Sequence, residues 1–328
     1  ESPPGSILQR SFRCLCCAGA PVAPRKQRMQ EEDELSLAMS YLRCGSCCAT
    51  DALEATHVTH GQSMWFQGPQ GLDPDKEERC PGDEPLTKAD GVQERGMVQL
   101  DDGAIYAGQW LGDQRHGHGS LSRPDGSRYD GQFRRNKAHG IGRFRQANGD
   151  MYSGHWFEDK AHGHGKFQHA DGGSYEGDWN MDIKSGKGLE TWPDGSHFKG
   201  EYRDGMKSGL GTFQSSDSST YSGQFFNDVM EGDGTYHFAD GRVYTGCWRN
   251  SQMHGMGSMT WPDGRFYKGG FVEDRKSGEG SLTWPDGRSY SGQWEMGRQH
   301  GIGVFVDNRG RQRKGLWNEG QRLKWLDS

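Results

Sequence analysis

Residues 129–151, YDGQFRRNKAHGIGRFRQANGDM, and residues 152–174, YSGHWFEDKAHGHGKFQHADGGS, are two copies of one pattern. An aromatic residue opens each copy, Gly follows two positions on, and a second aromatic stands two beyond that. Alternation at period 2 puts all three on one face of a strand. The positions between them are mostly polar, so the other face is wet, and a polar residue there such as Gln132 is expected to contribute little. A Gly-x-Gly pair then leads into a second strand with an apolar position, Phe144 or Phe167. Asp-Gly or Asn-Gly closes the unit in a turn. Each copy therefore reads as a β-hairpin.

Working outward, the opening aromatic recurs every 23 residues at Tyr106, Tyr129, Tyr152, Tyr175, Phe198, Tyr221, Tyr244, Tyr267 and Tyr290. Nine units follow one another without insertion or deletion, and part-units flank them. The expected fold is all-β: an elongated single-layer antiparallel sheet, a solenoid-like ribbon of tandem hairpins. Gly between two rings leaves room for the rings to lie across the backbone. Two units depart from the pattern. Glu190 takes the apolar slot in the fourth, and Ser218 replaces the closing Gly in the fifth, where a softer joint near Ser215–Thr220 is expected.

Composition agrees. Gly accounts for 52 of 328 residues, apolar residues for only 31%, and mean hydropathy is -0.98. Strands of a doubly wound enzyme would need runs of Val, Ile and Leu that are missing here. The 36 aromatics are too many for plain disorder. No apolar run approaches a membrane-spanning helix. Charge divides the chain into a basic tip (residues 1–28, +4), an acidic connector (29–105, -11) and a near-neutral body (106–328, +1). Two regions follow: a Cys-containing, then acidic extension over 1–95, and a repeat array over 96–325 with full units over 106–312.

Tyr-x-Gly-x-Trp followed by His-Gly-x-Gly and Asp-Gly resembles the MORN (membrane occupation and recognition nexus) repeat, and runs such as TWPDGRFYKGGF look like long MORN proteins of protists. The resemblance implies a non-enzymatic scaffold at a membrane–cytoskeleton junction, a cilium or a cortical structure. Such repeats also occur attached to lipid kinases and lysine methyltransferases, but no catalytic domain is expected after Trp325. Two other readings stay open: an accessory subunit of a large organellar or axonemal complex, and a lipid-binding regulator of a separate enzyme.

The residues offer no catalytic constellation and no cofactor or metal site. His116, His139, His162, His254 and His300 recur once per unit, too far apart along a sheet to share an ion, and read as turn residues. The candidate partner-binding face is aromatic: Tyr106, Trp110, Tyr152, Trp156, Tyr175, Trp179, Tyr244, Trp248, Tyr290 and Trp294. A single-layer sheet exposes such a stripe, so a protein partner, for instance a helix lying in the groove, is expected to cover it. The longer turn is expected to carry a base in seven of the nine hairpins, the pair Arg275 and Lys276 among them. Arg115, Lys137, Lys160, Lys184, Lys207 and Arg298 then form a candidate anion-binding edge opposite a row of turn Asp residues. An ordinary solvated rim competes with anionic phospholipid as its meaning. Near-neutral charge over the array argues against nucleic acid.

The N-terminal extension carries Cys14, Cys16, Cys17, Cys44, Cys47 and Cys48. Clustered Cys beside Arg and Lys fits reversible palmitoylation. A zinc or disulfide clasp and a transit peptide are the alternatives, and location follows: cytoplasmic at a membrane or the cytoskeleton, or inside an organelle. Residues 31–43 read as a short helix, with Leu35, Met39 and Leu42 on one side. A homodimer through the C-terminal end, residues 290–325, is expected from Trp317 and Trp325 beside an unpaired edge.

Overall fold

A computed structural model describes residues 91–327. The candidate helix at 31–43 and the six N-terminal cysteines lie outside them. The described chain is one open sheet of 21 strands. Each strand pairs antiparallel with its neighbour in sequence, from β1 (Val92–Gln99) through to β20 (Gln312–Asn318) and β21 (Gln321–Trp325). The nine units supply the central strands, and the flanking part-units add β1 and the β20–β21 hairpin. β1 begins at Val92, ahead of the Gly96 boundary read from the pattern.

Within a unit, the first copy quoted above, residues 129–151, shows the local logic. β4 (Arg128–Arg134) pairs with β5 (Lys137–Arg145), and Gly131 faces Gly142 across the pair. Both glycines are required, because the Tyr129 ring lies over them and a Cβ on Gly142 would overlap it. The Tyr129 hydroxyl then donates to the Gln132 carbonyl at 2.9 Å. Register slips between Gly131 and Phe133, a β-bulge. The slip leaves backbone N–H groups without ladder partners, and side chains fill in. Gln132 Oε1 accepts from Ile141 N at 2.8 Å, and Asp159 of the next unit accepts from Ala138 N at 2.7 Å. Gln132 is therefore a structural hydrogen-bond acceptor, contrary to its reading as an idle surface residue.

The two kinds of turn exchange the lengths expected of them. The connection that precedes the bases is the short one: two residues, Arg135 and Asn136, with φ of 51° and 71°. Two left-handed residues match the right-handed twist of the flanking strands. The Asp-Gly connection is the longer, spanning residues 123–127 between strands. There Asp125 Oδ1 accepts from both the backbone N–H and the hydroxyl of Ser127. The fifth unit makes the same turn, with Ser218 in place of Gly at φ 71° and donating to the Ser215 carbonyl.

The core is a continuous ring ladder on one face. Tyr106 meets Trp110 of its own unit and Phe133 of the next, Tyr129 meets Phe133 and Trp156, and the alternation runs unbroken to Tyr290 and Trp317. Centroids are 4.9–5.5 Å apart and planes 75–90° apart. Edge-to-face contact suits the ring quadrupoles. Eight of the opening aromatics are Tyr, and each donates its hydroxyl to the carbonyl three residues on. Phe198 fits the same glycine pocket without that bond. Phe198→Tyr should therefore add about 1 kcal/mol of stability, read as a higher midpoint in thermal melts of the full chain; an unchanged or lowered midpoint would show that the hydroxyl bond contributes nothing.

Candidate partner-binding face

The ten aromatics assigned to a partner are already covered by their own chain. Tyr106, Tyr244 and Tyr290 are 0% exposed and Trp110, Trp179 and Trp248 only 5%. Burial pushes the Tyr106 hydroxyl up to about 12 and drives those of Tyr152, Tyr175 and Tyr244 further in the same direction. The open aromatic stripe is thus corrected to a core: the rings shield one another along the sheet, and a ligand would meet what rims them.

The six bases do not form one edge. Residues one position apart in a strand point to opposite faces, and the six fall on two adjacent repeat positions. Lys137, Lys160 and Arg298 occupy the first strand position, away from the rings. Lys137 pairs with Glu158 at 3.1 Å and Arg298 with Glu319 at 3.7 Å. Arg115, Lys184 and Lys207 occupy the next position and lie over the rings. The Arg115 guanidinium is 5.7 Å from the Phe133 centroid, Lys184 4.8 Å from Tyr175, and Lys207 5.6 Å from Phe198. Lys276 holds the same position. Cations over ring faces are favourable, and more so when desolvated.

A second aromatic row, missed in the sequence, stands beside these cations. Trp192, Phe238, Trp261 and Trp284 open the Asp-Gly connections of the fourth, sixth, seventh and eighth units and are half-buried on the ring-bearing face. Lys207 lies 5.0 Å over Trp192, Arg242 4.4 Å over Phe238, Arg265 5.3 Å over Trp261 and Arg288 5.7 Å over Trp284. The matching positions of the other five units are Arg123, Gln146, His169, Ser215 and Asp307. The signal was the Trp of Trp-Pro-Asp-Gly, where the three turn residues drew the reading.

The histidine row sits on strands rather than in turns. Among the described residues no cluster of three His, Cys, Asp or Glu could hold a metal ion. At the C-terminal end, Trp317 is buried, and the Arg313 and Arg322 guanidinium groups lie over the Trp325 ring at 4.1 and 4.2 Å. Arg322 and Lys324 put positive charge on β21, the strand where self-pairing was expected, and Arg313 adds to it from β20.

The MORN repeat profile matches nine consecutive segments, 106–128, 129–151, 152–174, 175–197, 198–220, 221–241, 244–264, 267–287 and 290–310. The chain belongs to the MORN repeat family. This is a structural type of repeat, with a protein- or membrane-binding role. No curated protein matches the MORN chain. One similar solved structure is the TCP10 domain of Danio rerio CPAP in complex with a peptide of Danio rerio STIL. It is 12% identical, over 72% of this chain and 99% of that one, at a TM-score of 0.39. Another is the SAS-4 (dCPAP) TCP domain of Drosophila melanogaster in complex with a proline-rich motif of Ana2 (dSTIL). It is 12% identical, over 61% and 90%, at a TM-score of 0.27. Likenesses at these scores carry no inference about the MORN chain.

Proposed function

We propose that this MORN chain is a non-enzymatic scaffold that holds a protein partner against the ring-bearing face over residues 192–305. The observation that supports the reading is the second aromatic row, because its rings are half-exposed while those of the first row are consumed by the core. Interleaved cations add a polarity: the partner it suits is a segment carrying apolar side chains and carboxylates. Half-exposed Trp with Arg is also the composition of interface anchors. The setting we favour, a tether by the N-terminal cysteines at a membrane or the cytoskeleton, rests on the family resemblance and the clustered Cys.

Two arms test it. Native purification of the full chain should recover a defined partner set that a Trp261→Ala, Trp284→Ala variant loses, with the melt little changed. Equal recovery by both forms would count against this face. Flotation with phosphatidylserine vesicles addresses anionic lipid. Lys137, Lys160 and Arg298 have carboxylates near them or point away from the row, so reversing all three to Glu should leave vesicle binding at its wild-type level. Loss of flotation would favour the lipid reading instead.

A further inference from the structure

Four cations share the repeat position that overlies the rings, and three of them find an acceptor in their own chain. Arg115 donates to the Asn136 carbonyl at 2.8 Å. Lys207 pairs with Asp228 at 3.6 Å. Lys184 pairs with Glu190, which takes the apolar slot of its unit. The fourth, Lys276, has no such acceptor among the described residues. Gly297 stands where Asp228 stands for Lys207, and Leu282 where Glu190 stands for Lys184. What surrounds the Lys276 ammonium instead is three rings, Trp261, Tyr267 and Trp294, at 4.9, 5.2 and 4.8 Å.

We infer that Lys276 is the anchor for a partner's carboxylate, an Asp or Glu side chain on a protein segment lying along the second aromatic row. The chain itself supplies the template. The Lys184–Glu190 and Lys207–Asp228 pairs show that a carboxylate can reach an ammonium at this repeat position beside the rings. At Lys276 both sources are replaced by residues without charge, so the charge is left to be met from outside. Half-exposed Trp261 and Trp284 give the flanking apolar side chains a surface. Burial, aided by the neighbouring charge of Arg265, pushes the Lys276 amine down to about 8; an arriving anion would reverse that cost. The anchor rests on the partner-face reading and adds to it the residue that selects the partner.

The array contains its own controls. Met230 and Met253 occupy the same position in neighbouring units, so Lys276→Met removes the charge with a side chain the fold accepts. Gly297 has φ 83°, close to the 69° of Asp228, and nothing stands within 4 Å of a Cβ there. Gly297→Asp therefore keeps Lys276 and gives it an internal carboxylate. The probe is a pool of acetylated, amidated pentapeptides with central Glu and Leu, Phe, Val or Pro elsewhere, against the same pool with central Gln. Binding to the full chain is read by Trp fluorescence. The Glu pool should bind at least about tenfold more tightly than the Gln pool, in the range of a charge-assisted hydrogen bond. Both Lys276→Met and Gly297→Asp should erase the difference. A Glu preference that survives in either variant overturns the anchor. Equal binding of both pools that is lost in Trp284→Ala overturns the anchor and leaves the partner face standing. Binding of neither pool overturns both.

Discussion

Trp179→Ala lowers the stability of the array by about 3–5 kcal/mol, the usual cost of truncating a large buried aromatic. The residue is 5% exposed and touches the ladder on both sides, with Tyr175 at 5.0 Å and Tyr152 at 5.5 Å. Its indole N–H also donates to the Gly165 carbonyl of the preceding unit at 3.1 Å, so truncation leaves a buried acceptor without that donor. Position within the array amplifies the effect. A repeat protein is held by nearest-neighbour interfaces, and Trp179 sits at the joint between the third and fourth units. The loss should therefore appear as an early-melting segment rather than a uniform shift. Ser153→Ala, exposed on the opposite face, is the comparison and should move the melt by less than about 0.5 kcal/mol. Differential scanning calorimetry of the full chain checks both; equal shifts would mean that the ring ladder is not what holds the units together.

The sequence made the ladder legible because two periods coincide in it. Period 2 sets the face within a strand and period 23 sets the unit, so Tyr129, Gly131 and Phe133 could be placed without coordinates. Other features were present in the letters but hidden by a stronger neighbour. Trp261 was masked by Pro262-Asp263-Gly264, whose turn chemistry dominates that stretch. Closeness to a turn groups the bases in the sequence, although Lys137 and Lys184 differ by one repeat position and therefore face opposite ways. Gln132 could not have been read at all. Its side chain matters because a bulge strands the Ile141 N–H, and a bulge of this kind shows in backbone register rather than in hydrophobic pattern. Burial of the rings was missed for a related reason: a single layer suggests exposure, whereas Tyr and Trp side chains are long enough to cover one another edge to face.

Lys184→Ala tests what happens when the ladder carries charge. The Glu190 carboxylate is 10% exposed and the Lys184 side chain 15%, and the carboxylate also accepts from the Tyr202 hydroxyl at 2.8 Å. That second contact pushes the Tyr202 hydroxyl upward together with burial, the larger cause. Removing the lysine leaves a nearly buried carboxylate with one neutral donor, a change that costs about 3–5 kcal/mol when a buried pair is broken from one side. The pair as a whole need not be stabilising, because both ions were taken out of water to make it. The third unit shows the uncharged alternative at the same two positions, Ala161 and Phe167, which are 0% and 3% exposed. Lys184→Ala with Glu190→Phe rebuilds that arrangement and should bring stability back to within about 1 kcal/mol of the parent or above it. Chemical denaturation of the parent, the single and the double variant closes the comparison. A double variant as weak as the single one would mean that the fourth unit needs the ion pair for its geometry. Recovery would mean that the charges were kept for something other than stability. The deciding feature is then that Lys184, like Lys207, carries its own carboxylate, while Lys276 does not.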